Sequence, residues 1–268
     1  MTYRASGVSV RVAQATLLDD VSLAVRAGEI VAVAGPNGAG KTTLLSVLAG
    51  DRSTEAGMVT LGERALADWP RDELARRRAV MSTDGAVAFA FTAAEVALLG
   101  RMPLHGGDPD EGDYQVVRDL LAAVDCAQLA ERVYATLSTG ERQRVQLARA
   151  LAQVTDGPGT PSPDERFLLL DEPTSSLDPA HQHTAMGLIR KMADAGRGVV
   201  AVLHDLNLAA AYADRVVLMV GGRLVADGPP GDVLRADLLE SVFDIPMLVI
   251  PHPQLSHPLV IAEPHPHA

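Results

Sequence analysis

The sequence predicts an α/β fold, and three observations carry that prediction. The apolar run Ile30-Val31-Ala32-Val33-Ala34 leads into a glycine-rich loop and then into a segment with helical apolar spacing. Two further runs, Phe167-Leu168-Leu169-Leu170 and Val199-Val200-Ala201-Val202-Leu203, read as buried strands. Between the first run and the second, Thr92 to roughly Gln153 has helical periodicity with few β-branched runs, which predicts an all-helical insert. With 268 residues and 47% hydrophobic content, the chain can bury a sizeable core as one large domain or a domain with a subdomain.

Taken in order, Val8 to Arg26 shows two stretches of partial alternation, and Ala27-Gly28 supplies a turn. This predicts an N-terminal antiparallel β-ribbon that feeds the strand at Ile30. Gly57 to Gly62 reads as a further short strand. Asp68 is placed to cap a helix that carries Pro70 in its first turn and runs to Arg78. Its basic end, Arg76-Arg77-Arg78, reads as solvated. Ala93 to Leu99, Tyr114 to Val124 and Leu137 to Val154 each offer an apolar helical face. Pro103 to Asp113 and Asp156 to Glu165 read as surface loops. No internal repeat is visible.

Composition excludes several classes. With 23 basic against 34 acidic residues, net −11, the chain has no general affinity for nucleic acid or anionic lipid. One cysteine, Cys126, excludes an internal disulfide and fits a reducing compartment. No apolar run has the length of a spanning helix, and Met1 to Ser9 lacks the regions of a signal peptide. A cytoplasmic protein is expected, with any membrane association borrowed from a partner.

The clearest chemistry lies in Gly35-Pro36-Asn37-Gly38-Ala39-Gly40-Lys41-Thr42. Its glycines let successive N–H groups converge on one anion, and the N-terminus of the following helix adds partial positive charge there. In such a loop Lys41 reaches the β- and γ-phosphates of a nucleotide and the Thr42 hydroxyl ligates Mg²⁺. The α/β fold is therefore expected to be a P-loop nucleotide-binding core. Around Val12, where an aromatic often stacks on the base, stand only Ser9, Val10, Arg11, Ala13 and Gln14, which predicts loose base recognition.

Downstream, Ser138-Thr139-Gly140-Glu141 opens a helix and again presents a hydroxyl and N–H donors to an anion. Taken alone, those residues read equally as a helix cap. The strand ending at Leu170 is followed by Asp171 and Glu172. Strand alternation points the two carboxylates in different directions, so they take separate tasks. Asp171 suits support of Mg²⁺ at one remove, and Glu172 suits orienting or deprotonating the attacking water.

Together, Gly35 to Thr42, Leu137 to Glu141, Leu170 to Glu172, the turn Ser175-Ser176-Leu177-Asp178 and the strand-terminal His204 resemble the nucleotide-binding subunit of an ATP-binding-cassette transporter. The resemblance covers about residues 3–245. It implies a single nucleotide-binding domain over 1–268: β-ribbon and RecA-like core at about 1–91 and 155–245, helical subdomain at about 92–154, and C-terminal tail at about 246–268. It implies ATP and Mg²⁺ as cofactors and extends the nucleotide contacts to Thr43 and Glu141. Two such domains pack head to tail in that family. Ser138, Thr139 and Gly140 of one copy then hold the γ-phosphate bound by Gly35 to Thr42 of the other, His204 contacts it in cis, and Asp178 couples the two sites.

Two positions depart from the family pattern. Thr139 stands where a glycine is usual and adds a Cβ near the phosphate. Thr83 stands where a glutamine usually touches Mg²⁺ and signals to the membrane subunit. Its hydroxyl is a possible ligand, but its side chain is about two bonds shorter, which predicts weakened coupling.

The subfamily signal lies elsewhere. Phe89-Ala90-Phe91-Thr92, Glu95-Val96 and Leu99-Gly100-Arg101-Met102-Pro103 resemble importers of large metal chelates, namely siderophores, cobalamin and haem. Leu177 to His183, the proline-rich insert before Phe167 and the ending Leu248-Val249-Ile250-Pro251-His252-Pro253 are most similar to haemin-import ATP-binding subunits. The resemblance implies ATP-driven haem uptake at the cytoplasmic face of the inner membrane. The implied partners are a second copy, two transmembrane permease subunits gripping a groove near Thr83 to Met102 and, indirectly, an external haem-binding protein. The alternatives are a siderophore or cobalamin importer, a non-transport cassette protein, and an ATP-binding regulator. His181 and His183 read as surface residues at a helix start, and His252, His257, His265 and His267 as an extended proline-rich tail.

Overall fold

The computed structural model describes residues 1–82, 90–104, 108–157 and 165–264. Alternating apolar residues make a two-sided ribbon of β1 (Thr2–Val12) and β2 (Ala15–Arg26), with Tyr3, Ala5, Val8 and Val10 buried on the first and Leu18, Val21, Leu23 and Val25 on the second. Then follow β3 (Ile30–Ala34), α1 (Lys41–Ala49), β4 (Ala56–Leu61), β5 (Arg64–Ala65), α2 (Arg71–Arg77) and β6 (Arg78–Met81). The helical region holds α3 (Ala93–Leu98), α4 (Glu111–Ala123) and α5 (Thr139–Val154). The chain returns through β7 (Phe167–Asp171), α6 (Pro179–Asp194), β8 (Gly198–Val202), α7 (Leu206–Tyr212), β9 (Arg215–Val220) and β10 (Arg223–Gly228). It ends in α8 (Pro230–Val233), α9 (Ala236–Phe243), β11 (Met247–Pro251) and β12 (Pro258–Ala262).

Two larger sheets organise these elements. One is antiparallel in the order β2-β1-β4-β5; the other runs β10-β9-β3-β8-β7-β6, parallel from β9 to β6 with β10 antiparallel at its edge. β3, β7 and β8 are buried at every position, as strands covered on both faces must be. Successive residues of each strand alternate between two cores. Val31, Val33, Leu169, Val200 and Val202 pack with α1 and the ribbon, whereas Ile30, Ala32, Leu168, Leu170 and Ala201 face the helical side.

Three helices start on reciprocal capping boxes, Thr92 with Glu95, Asp110 with Asp113 and Ser138 with Glu141. Arg101 locks them together from within. Fully buried, it pairs with Asp113 at 2.7 Å and donates to the carbonyls of Ala152 and Thr155 at the end of α5.

Several local expectations are corrected. The helix near Asp68 starts at Arg71 after Pro70, Asp68 sits in a separate 3₁₀ turn, and Arg78 already belongs to β6. Arg76 to Arg78 are half-buried rather than solvated: Arg76 donates to the Pro103 carbonyl and Arg77 stacks on Trp69. α4 begins before Tyr114, because Asp110 caps it at Glu111. The extended tail is instead a hairpin, β11 paired with β12, whose Val260 backbone is held on both sides by the Asn207 amide. His265 and His267 lie outside the described residues.

Candidate active site

The parallel register sets the site. Val33 of β3 and Asp171 of β7 both pair with Val202 of β8, so the three strands end side by side. Ligands of open α/β sheets bind at such carboxyl ends.

The loop after β3 turns back on glycine geometry. A Cβ at Gly35 would stand 2.2 Å from the Met219 carbonyl oxygen, and one at Gly40 would stand 2.6 Å from that of Leu17; both residues have positive φ. α1 then opens at Lys41 with Gly40 as its left-handed cap and no side-chain acceptor on its first N–H groups. Those donors, with the helix dipole, are available to an anion. The Lys41 ammonium folds over the loop and donates to Gly35 O and Pro36 O, each at 2.8 Å. Burial holds its pKa below the ordinary lysine value, opposed by the Glu172 and Asp171 charges.

The acidic pair separates as alternation requires. Asp171 is buried, and its Oδ1 accepts from the Thr42 hydroxyl at 3.3 Å; burial raises its pKa above the ordinary carboxylate range. Thr42 Oγ1 and the Asp171 carboxylate thus form an oxygen-rich corner that fits a hard divalent cation such as Mg²⁺. Glu172 departs from the strand at φ 48, an uncommon region for a residue with a side chain, and its Oε1 meets His204 Nε2 at 2.5 Å. His204 is held between β8 and Asp205, which caps α7 through the Asn207 and Leu208 N–H groups.

Gln143 was not singled out by sequence reasoning. From α5 its amide donates to the Glu172 carbonyl at 2.6 Å and accepts from the Ser176 N–H at 3.0 Å. It clamps the strained turn from both ends, an over-determination that such backbone needs. Its only sequence signal is one glutamine among arginines at a polar helix start.

The structure therefore gathers Lys41, Thr42, Asp171, Glu172 and His204. Ser138 to Glu141 stay apart, with no hydrogen bond or ion pair to Gly35–Thr43 among the described residues. Ser138 accepts from the Glu141 N–H at 3.3 Å, and Glu141 accepts in return from the Ser138 N–H at 2.7 Å. A Cβ on Gly140 would meet Ser176 O at 2.9 Å, which fixes glycine there. Asp178 caps α6 through His181 N–H and also meets His181 Nδ1 at 2.8 Å, which places His181 in a surface role. Thr83 lies outside the described residues.

Comparison with known proteins follows this geometry. The sequence profile of the family described as ABC transporter matches residues 18–175. The hemin import ATP-binding protein HmuV of Gloeobacter violaceus is 50% identical over 259 residues, covering 96% of this chain and 93% of that protein. The protein of the same name from Pseudomonas aeruginosa is 46% identical, covering 97% and 99%. Among solved structures, an ABC transporter in an inward-facing conformation superposes with TM-score 0.76 at 25% identity, covering 98% of this chain and 97% of that one. A dimeric bacterial ABC transporter cassette superposes with TM-score 0.73 at 25% identity, covering 85% and 98%.

Proposed function

The chain belongs to the ABC transporter family, and from that premise we propose that it is the ATP-hydrolysing subunit of a haem importer at the cytoplasmic face of the inner membrane. Hydrolysis is supported above all by the Glu172–His204 contact at the mouth of the phosphate loop. The haem assignment is supported by half-identity to a hemin import protein along nearly the whole chain. Among the described residues no helix is long and apolar enough to cross a membrane. In this reading two permease subunits supply the path and an external haem-binding protein supplies the cargo.

The mechanism follows from the side chains. Backbone N–H groups of the loop and the start of α1, from Asn37 to Thr43, cradle the phosphates of ATP, and Lys41 swings from the loop carbonyls to the β- and γ-phosphates. Thr42 would ligate Mg²⁺ and Asp171 would support it at one remove; the ion would supply neutralisation of charge developing on the phosphate oxygens. Glu172 orients the attacking water in line, and His204 steadies its carboxylate while facing the γ-phosphate. Ser138, Thr139 and Gly140 make no hydrogen bond to their own chain's loop among the described residues, and in this reading a second copy packed head to tail brings them to the γ-phosphate. Glu141 keeps that helix start in shape, and Asp178 lies in the turn between the two sites. Hydrolysis removes the bridge, the copies part, and the permease subunits exchange the side they expose.

ATP-dependent uptake into liposomes tests this directly. Haem accumulation by the assembled transporter, absent with Glu172→Gln, is expected. Uptake of a siderophore or cobalamin in place of haem would overturn the substrate, and no nucleotide-dependent uptake would overturn the importer.

A further inference from the structure

A second concave surface lies at the end of α1 remote from the phosphate loop. The last turn of α1, the following residues 50–54, β4 and the segment from Ala65 to Leu74 enclose a cleft of about 860 Å³. Val47, Val59, Leu66 and Leu74 give it aliphatic walls, and Met58 is exposed among its lining residues. Its polar lining includes Arg52, Arg71, Arg78, the Trp69 indole and Asp51.

Arg78 Nε and Nη1 and Trp69 Nε1 are buried without a hydrogen-bond partner. Arg78 acts on the Tyr3 phenol by its charge and by a side-chain hydrogen bond, and Asp51 also lines the cleft. Arg64 and Arg77 add positive charge by stacking on the indole at 4.8 and 4.9 Å. Leaving such donors buried and unpaired costs free energy that an anionic ligand would recover. This concentration of arginine stands out in a chain of net charge −11.

We propose that this cleft is a carboxylate-binding site, in which Arg78 and Trp69 turn their buried N–H donors to the anionic oxygens of a ligand whose apolar stem lies along Val47, Val59 and Leu66. The carboxylate comes either from a free organic acid or from an acidic side chain of a permease segment; only the second source rests on the importer reading. Occupancy bears on α1, whose other end carries Lys41 and Thr42.

Trp69 is the only tryptophan of the chain, so its fluorescence reports on this cleft. The full chain is titrated with hexanoate at constant ionic strength, without nucleotide or haem. A saturable change in Trp69 emission is expected, about tenfold weaker in affinity in Arg78→Lys and lost in Arg78→Met. Circular dichroism checks that both variants are folded, and the lysine variant carries the test if the methionine variant is not. No saturable change, or one unaltered by either substitution, would overturn the site whatever the transporter carries. Repeating the titration on the assembled transporter separates the sources. A response lost there assigns the site to a permease carboxylate, and one retained assigns it to a free acid.

Discussion

His204 Nε2 and Glu172 Oε1 lie 2.5 Å apart, on side chains delivered by the ends of two neighbouring strands. The imidazole donates to the carboxylate and leaves it free to accept from water on its other oxygen. Glu172→Gln keeps the shape and removes the charge. Steady-state hydrolysis is expected to fall about 10²–10⁴-fold with ATP binding retained, measured by phosphate release and nucleotide binding on the same preparation.

Gln143 acts through Glu172 rather than on substrate. Gln143→Ala frees both ends of the turn from Glu172 to Ser176, so kcat is expected to fall about tenfold or more with little change in KM. Gln143→Glu keeps an acceptor for the Ser176 N–H but loses the donor to Glu172 O, and an intermediate kcat is expected. Equal losses in kcat and stability, without that ordering, would mark a merely structural residue.

The phosphate loop and the acidic strand end were legible because their chemistry is local: Gly35 to Thr42 and Leu168 to Glu172 each place their groups by a single turn or alternation. Gln143 was not, because its role is set by contacts about thirty residues away that no periodicity announces. The C-terminal hairpin was missed for a related reason. Prolines at Pro251 and Pro258 mimic an extended tail, while pairing and the Asn207 clamp arise only in three dimensions. The stretch from Arg76 to Arg78 misled because charge was read as solvation, whereas packing against Trp69 and Pro103 absorbs it.

Burial raises the Asp171 pKa, so the folded chain holds that proton more tightly than the unfolded chain. The resulting stability is fully present below the ordinary carboxylate value of about 4 and is lost as pH rises through the raised folded value. Nucleotide-free Asp171→Asn is therefore expected to lack this loss and to melt above the native chain near neutrality. Added Mg²⁺ and ATP should raise the Tm of the native chain and much less that of the variant. Thermal scans across pH, with and without nucleotide, check both signs.

The Arg101–Asp113 pair is wholly buried, so removing one partner strands a charge. Asp113→Ala is expected to cost about 3–5 kcal/mol in urea unfolding. Arg101→Met with Asp113→Leu should recover only part of that loss: no charge is left unpaired, but the carbonyls of Ala152 and Thr155 and the Asp110 N–H lose their partners.

The central claim is that one copy's phosphate loop is completed by Ser138 to Gly140 of another. Sedimentation of Glu172→Gln, a 28.2 kDa chain, with and without Mg²⁺ and ATP tests it most directly. The account predicts conversion to a dimer only with ATP, abolished by Ser138→Arg. A Glu172→Gln chain that binds one ATP per copy and remains a monomer would contradict it.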